Sequence, residues 1–118
     1  MKHIFLSPHL DDVPLSCGGT LAKLTNEQTL VTVISVFAGL IASDAPFSAF
    51  ARYQHDMWGN PAQAYDARRA EDAAALAQFG LQPVWLDFLD CIYRGQPDEG
   101  IWYYNSDEDI FGALHADE

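Results

Sequence analysis

The chain has 118 residues, is 49% hydrophobic and 13% aromatic, and carries a formal net charge of −11. This length predicts a single domain over residues 1–118, and the composition excludes intrinsic disorder. The excess negative charge argues against nucleic acid or an anionic membrane surface as the main partner, because it repels phosphate groups. No run approaches the ~20 apolar residues of a membrane span, and the N-terminal apolar run is too short for a signal peptide, so a cytoplasmic location is expected.

The first third of the sequence predicts two strands that flank a helix. A short apolar run at residues 4–6 is typical of a buried strand, and the β-branched run at 30–37 predicts a longer strand that is buried on both faces. Between them, residues 14–24 predict a helix that Asp11 or Asp12 could cap. Two cysteines far apart, with no CxxC motif, are expected to be reduced thiols.

The rest of the chain continues this alternation with one interruption. Residues 38–61 combine Gly, Pro, Ser and Asn with aromatics and show no clean period, which predicts a long loop with a binding role. An alanine-rich helix is expected over 62–79, closed by Gly80, and a third strand over 84–86. The acidic tail has a helix start signal at Ser106.

Strand, helix, strand, helix and strand in this order predict an α/β fold: a Rossmann-like parallel sheet with helices on both faces. Ligand sites in such sheets lie beyond the carboxyl ends of the strands, so residues 7–12, 38–39 and 87–90 are expected to converge. Three strands leave an exposed edge and a weakly covered face. The sequence is therefore interpreted as the N-terminal portion of a domain that is incomplete at its C-terminus, and the chain is expected to self-associate.

The segment His9-Leu10-Asp11-Asp12 carries most of the chemistry in the sequence. One imidazole and two carboxylates offer the nitrogen and oxygen ligands that zinc accepts, and adjacent carboxylates can divide metal binding from proton transfer. The structural alternative is that both aspartates cap a helix while His9 lies in a turn. The position after a predicted strand favours a hydrolytic zinc site.

Residues 7–19, which run Ser-Pro-His-Leu-Asp-Asp-Val-Pro-Leu-Ser-Cys-Gly-Gly, resemble the opening motif of the PIG-L/LmbE-like zinc-dependent de-N-acetylases. Arg68 to Gly80 is similar to the family's second helix, with Arg-x-x-Glu, then alanines, then a terminal Gly. Residues 86–90 and 92–94 resemble its third strand and the acidic residue beyond. The resemblance covers most of residues 2–95 and implies removal of an N-acetyl group from an N-acetylglucosamine-type conjugate or a related amide.

Carried over by position, the resemblance implies that His9 and Asp12 bind one Zn²⁺ and that Asp11 is the general base. It also implies that Arg68 contacts a small-molecule N-acetylated amino-sugar substrate and that Asp90 lies near the sugar hydroxyls. Leu10 and Val13 stand where many members have Pro and Glu. The family's third zinc ligand comes from a late His-x-x-His motif, which this sequence lacks.

The sequence is therefore compatible with two interpretations. The first is a zinc amidohydrolase when complete, with this chain alone inactive for want of its third ligand. The second is a non-catalytic α/β fragment or remnant binding module of the same fold. On the second predicted helix, the spacing of Arg68 and Arg69 from neighbouring carboxylates predicts ion pairs, and Arg69 and Asp72 are expected on a solvated face.

Overall fold

The computed structural model describes residues 1–42, 44–59 and 64–118, which form two compact units. Unit 1 contains Met1–Leu40 and Tyr65–Phe88, and unit 2 contains Ile41–Ala64 and Leu89–Glu118. No helix in the described part of the chain is long and apolar enough to cross a membrane. The helices and strands, in chain order, are β1 (Lys2–Ser7), α1 (Asp12–Asn26), β2 (Leu30–Ser35), α2 (Ala49–Met57), α3 (Ala64–Ala77), β3 (Val84–Trp85), β4 (Gly95–Gln96), β5 (Ile101–Trp102) and α4 (Asp107–Ile110).

Unit 1 is built on a parallel three-stranded sheet in the order β1-β2-β3. The register places Ser7 opposite Ser35, and Ser35 opposite Trp85, so the three strands end at one edge of the sheet. Strands joined through helices give this parallel arrangement. The predicted α/β fold class is confirmed, whereas the prediction that residues 1–118 form one domain stays a prediction.

The hydrophobic core of unit 1 lies between the sheet and helices α1 and α3. Its buried members are Val13 and Leu21 of α1, Val33 of β2 and Leu76 of α3, and Phe5 of β1 packs against them. Each such burial contributes about 1.5–3 kcal/mol. The prediction that β2 is buried on both faces was wrong, because burial on this strand is confined to alternate residues at its carboxyl end.

The opposite face of this sheet presents apolar side chains to solvent. Side chains alternate along a strand, so residues two apart share a face. The exposed apolar residues here are Ile4 and Leu6 of β1, Leu30 of β2, Val84 of β3 and Leu86 just beyond it. A contiguous exposed apolar patch favours association with another surface.

Leu6→Gln is expected to reduce self-association of the chain, because it replaces an exposed apolar side chain of this patch with a polar amide. The matched control is Leu15→Gln, which changes an exposed leucine on α1 outside the sheet. Sedimentation velocity over a concentration series measures the effect. A wild-type chain that is monomeric at every concentration, or an equal effect of both substitutions, would contradict the prediction.

Helix α3 ends at Ala77, two residues before the predicted end at residue 79, and Gly80 follows it as the predicted closing glycine. Gly80 has φ of 70°, its N–H donates to Ala77 O, and Leu81 N–H donates to Leu76 O. The left-handed conformation is accessible to glycine without strain, which explains glycine after the last helical turn. The start predicted for this helix, at Ala62, lies outside the described residues.

Unit 2 contains a helix that the sequence-based prediction missed. Residues 38–61 were predicted as a long loop, but α2 occupies Ala49–Met57, with Ser48 Oγ accepting from Ala51 N–H at 2.9 Å. The buried residues of α2 are Ala51 and His55, one turn apart. Because one of them is a histidine, the buried face does not show as an apolar period.

The remainder of unit 2 is a short antiparallel hairpin, β4-β5, followed by α4. Ser106 Oγ accepts from Asp109 N–H at 3.2 Å and caps α4, so the predicted helix start is confirmed. Tyr93 and His55 share a buried hydrogen bond of 2.5 Å between the phenol oxygen and Nε2, and the Phe47 ring packs edge-on against the imidazole. The packed rings of Phe47, His55 and Tyr93 therefore form part of the interior of this unit.

Candidate functional site at the carboxyl ends of the strands

The loop that follows β1 lies at the carboxyl edge of the sheet in unit 1. It is tied to the chain beyond β2 by two backbone hydrogen bonds of 2.9 Å, from Val36 N–H to Ser7 O and from Phe37 N–H to Pro8 O. The His9 ring lies 5.7 Å from the Phe37 ring. The loop after β1 therefore contacts the residues that immediately precede the second predicted segment, 38–39.

The segment after β3 joins them within unit 1. Gly39 N–H donates to Phe88 O at 2.9 Å, and a Cβ on Gly39 would approach Asp87 O to 2.7 Å. Any larger residue at position 39 would push the two backbones apart. Within unit 1, residues 7–8 thus contact residues 36–37, and Gly39 contacts residues 87–88, so these parts of the three predicted segments follow one edge of the sheet.

Ser7, the last residue of β1, holds the loop in place through its side chain. Its buried hydroxyl donates to His9 O at 2.7 Å and accepts from Val13 N–H at 3.2 Å. The second bond satisfies one of the backbone N–H groups at the start of α1 that have no partner within the helix. One side chain therefore fixes both the turn at His9 and the first turn of the helix.

Ser7→Ala is expected to cost about 1–3 kcal/mol of unfolding free energy, because it leaves buried polar groups without partners. Ser35, its register neighbour, is the matched control: its hydroxyl is equally buried but has no hydrogen-bond partner among the described residues. Ser35→Ala should therefore be neutral or stabilising. Urea unfolding of both variants measures the difference, and equal losses would contradict this account.

His9, in the loop after β1, and Asp12, the first residue of α1, lie side by side. Asp12 Oδ2 accepts from His9 N–H at 2.9 Å and lies 3.4 Å from His9 Nδ1. Their side chains are 49% and 44% exposed. An imidazole nitrogen and a carboxylate oxygen this close, both open to solvent, can contact the same cation.

Asp11 has different surroundings from its neighbour. Its backbone is left-handed, with φ of 70°, which costs a non-glycine residue about 1–3 kcal/mol. Its N–H donates to Asp72 Oδ1 at 3.0 Å, and its carboxylate lies 3.4 Å from Arg68 Nη1. Burial raises the pKa of Asp11, and the Arg68 guanidinium opposes that rise. The two adjacent aspartates thus have separate sets of partners.

Arg68 reaches the site from helix α3. Its Nη1 is 3.4 Å from both the Asp11 and the Glu71 carboxylates, and its Nη2 is 3.4 Å from Leu10 O. The structure therefore brings together four of the five predicted site residues: His9, Asp11, Asp12 and Arg68. The roles predicted for them stay predictions.

The expectation that Arg69 and Asp72 lie on a solvated face was wrong. Asp72 is fully buried, and its Oδ2 accepts from Trp85 Nε1 at 2.7 Å. Arg69 donates from Nε to Ala38 O at 2.8 Å and lies 4.7 Å above the Trp85 ring. Helical spacing pairs charges with neighbours on the same helix, whereas these side chains find their partners on other elements of unit 1.

Asp90, the fifth predicted residue, belongs to unit 2. It is largely buried, and its Oδ1 accepts from Ile92 N–H at 3.1 Å at the start of the 3-10 helix Cys91–Tyr93. This contact is a capping interaction. Its predicted place near the sugar hydroxyls stays a prediction.

The donor set fits a zinc ion in part. His9 nitrogen and Asp12 oxygen are ligand types that zinc takes in hydrolytic sites, where three protein ligands are usual. Among residues 1–42, 44–59 and 64–118, no group of three or more His, Cys, Asp or Glu side chains is arranged to hold a metal ion. The structure thus provides two ligands that fit zinc.

Comparison with known proteins finds a family that matches most of this chain. The PIG-L family, described as GlcNAc-PI de-N-acetylase, matches residues 4–109. A 2′-N-acetylparomamine deacetylase from Niallia circulans is 35% identical over 123 aligned positions, which cover 92% of this chain and 43% of that protein.

Solved structures of deacetylases are similar as well. A deacetylase–teicoplanin complex from teicoplanin biosynthesis is 41% identical, with a TM-score of 0.76, over 87% of this chain and 40% of that one. The zinc-inhibited form of a teicoplanin deacetylase is also 41% identical, with a TM-score of 0.77, over 87% and 38% of the two chains. The chain thus spans about two fifths of the length of these relatives. Because the family match covers most of its residues, the chain belongs to the PIG-L family.

Proposed function

We propose that the protein carrying this chain is a zinc-dependent N-deacetylase acting on an N-acetylglucosamine-type conjugate or a related N-acetylated amino sugar. The observation that supports this most directly is that the side chains of Asp11 and Asp12 have different partners. His9 and Asp12 lie together and exposed, while Asp11 is turned to Arg68. Hydrolysis of an amide at a metal centre needs this separation of metal ligands from a proton acceptor.

His9 and Asp12 are the residues proposed to hold the zinc ion. Bound zinc would supply Lewis acidity, which makes water a nucleophile near neutral pH and polarises a carbonyl group. The Asp12 carboxylate would offset part of the charge of the dication. The third protein ligand is proposed to be a histidine of the same protein that lies outside these 118 residues.

Asp11 is proposed as the general base. Its carboxylate would accept a proton from the water that attacks the acetyl carbonyl carbon and then return that proton to the amine nitrogen as the C–N bond breaks. Acetate and a free amine are the products. Burial of Asp11 raises the pKa of its carboxyl group, which favours proton acceptance.

Arg68 and Asp90 are proposed to contact substrate. The Arg68 guanidinium, beside Asp11 and Leu10 O, presents donors that suit carbonyl or hydroxyl oxygens of an amino sugar. The Asp90 carboxylate can accept hydrogen bonds from sugar hydroxyls. The relative from Niallia circulans is named as a deacetylase of 2′-N-acetylparomamine, a compound of the proposed chemical class.

An amine-release assay tests the proposal. The protein expressed from its complete coding sequence, loaded with zinc, is expected to release free amine from 2′-N-acetylparomamine or a simple N-acetylglucosaminide, detected with fluorescamine. A chelator should abolish release and added zinc should restore it. A folded, zinc-loaded protein that binds these compounds without releasing amine would overturn the proposal in favour of a non-catalytic module of the same fold.

A further inference from the structure

Asp72 is a fully buried carboxylate in unit 1 with a hydrogen-bond donor on each oxygen. Oδ1 accepts from the backbone N–H of Asp11 at 3.0 Å, and Oδ2 accepts from Trp85 Nε1 at 2.7 Å. A buried carboxylate is unfavourable unless such donors satisfy it. Both of its oxygens are therefore committed to named partners.

These partners come from different parts of the unit. Asp11 immediately precedes α1, Trp85 ends β3, and Asp72 itself lies on α3. Trp85 is held in turn by Arg69, which lies over its ring and donates to Ala38 O. The carboxylate of Asp72 thus links the loop after β1 to the helix and strand that face it.

The bond to Asp11 falls on the residue with the left-handed backbone. At φ of 70° Asp11 makes no side-chain cap to α1, and its carboxylate lies beside Arg68, while Asp12 faces His9. If the peptide before Asp11 rotated, its N–H would leave Oδ1 of Asp72. The direction of the Asp11 side chain and this hydrogen bond therefore depend on each other.

We infer that Asp72 is a positioning residue for the proposed deacetylation: by accepting from Asp11 N–H, it holds the Asp11 carboxyl group beside Arg68 and apart from the His9–Asp12 pair. This inference rests on the proposed function for its effect on rate. Its structural part, that Asp72 fixes the backbone of Asp11 through the Asp11 N–H, does not depend on the proposed function.

The need for two acceptors gives a specific test. Asparagine at position 72 keeps one acceptor oxygen but turns the other into a donor, so either Asp11 N–H or Trp85 Nε1–H must lose its partner. Removing the indole donor relieves that conflict. The double variant Asp72→Asn with Trp85→Phe leaves the single amide oxygen available to Asp11 N–H.

Asp72→Asn is expected to lower kcat by about 10- to 100-fold, the usual effect of losing a supporting contact, with KM and zinc content close to wild type. The double variant should recover most of that loss. Trp85→Phe alone should keep kcat near wild type and lower the melting temperature. The matched control is Asp66→Asn, the same change at an exposed position of the same helix, which should alter nothing.

Hydrogen exchange of the Asp11 amide, followed by NMR in the folded chain, gives a readout independent of activity. Protection should be lost in Asp72→Asn and regained in the double variant. Unchanged protection and unchanged kcat in Asp72→Asn would overturn the inference, and so would Trp85→Phe alone lowering kcat as much. If the wild-type protein releases no amine, the proposed function fails, and the exchange data alone decide whether Asp72 positions Asp11.

Discussion

Asp11→Asn is expected to lower the deacetylation rate by about 10²-fold or more while zinc content stays at the wild-type level. The asparagine side chain has nearly the same size, and its oxygen can still accept from Arg68. It cannot take a proton from water, so only the base is lost. The backbone contact to Asp72 involves the N–H of residue 11 and is unaffected by the change. Steady-state kinetics and metal analysis of the same preparation measure both quantities.

Glu71→Gln is the matched control for this experiment. Glu71 Oε2 is also 3.4 Å from Arg68 Nη1, but its side chain is 63% exposed where that of Asp11 is 13% exposed. Screening by water makes such an exposed pair weak. The control should therefore keep wild-type activity. A metal-free Asp11→Asn protein would reverse the assignment and make Asp11 a ligand, and equal losses in both variants would show that the charge near Arg68 matters rather than the base.

Much of unit 1 could be predicted from the sequence because the signals involved are local. A β-branched run gave β2, alanine content and a terminal glycine gave α3, and the motif after the first strand located His9, Asp11 and Asp12 at the carboxyl edge of the sheet. Their order along the chain was enough to predict a parallel sheet. These features depend on residues close to one another in sequence.

Other features depend on contacts between distant residues, and for that reason the sequence did not show them. Asp72 meets Asp11 across a separation of 61 residues, and Arg69 meets Ala38 across 31. From their spacing along α3 alone, Arg69 and Asp72 are expected on a charged helix face that is exposed to solvent. Helix α2 was missed for a related reason: one of its two buried residues is His55, whose partner Tyr93 lies 38 residues later.

The difference between the two adjacent aspartates leads to the second large effect. Asp12→Ala is expected to weaken zinc binding about 10²-fold, because it removes one of the few ligands that share the binding free energy, which is about 10–16 kcal/mol in structural zinc sites. The contact to His9 N–H is lost with it. Asp12→Asn, whose oxygen can still accept from His9 N–H, separates the loss of charge from the loss of that contact. Competition with a chromophoric zinc chelator gives the affinity of each variant.

Asp87→Ala serves as the control for Asp12→Ala, because Asp87 is another carboxylate at the carboxyl edge of the same sheet and its side chain is 95% exposed. Removing it lowers the local negative charge equally but takes away no proposed ligand, so zinc affinity should stay near wild type. If zinc binding depended only on the negative charge at this edge, Asp87→Ala and Asp12→Ala would weaken it alike. A zinc-replete, active Asp12→Ala protein would show that Asp12 is not a ligand and that its contact to His9 serves the loop alone.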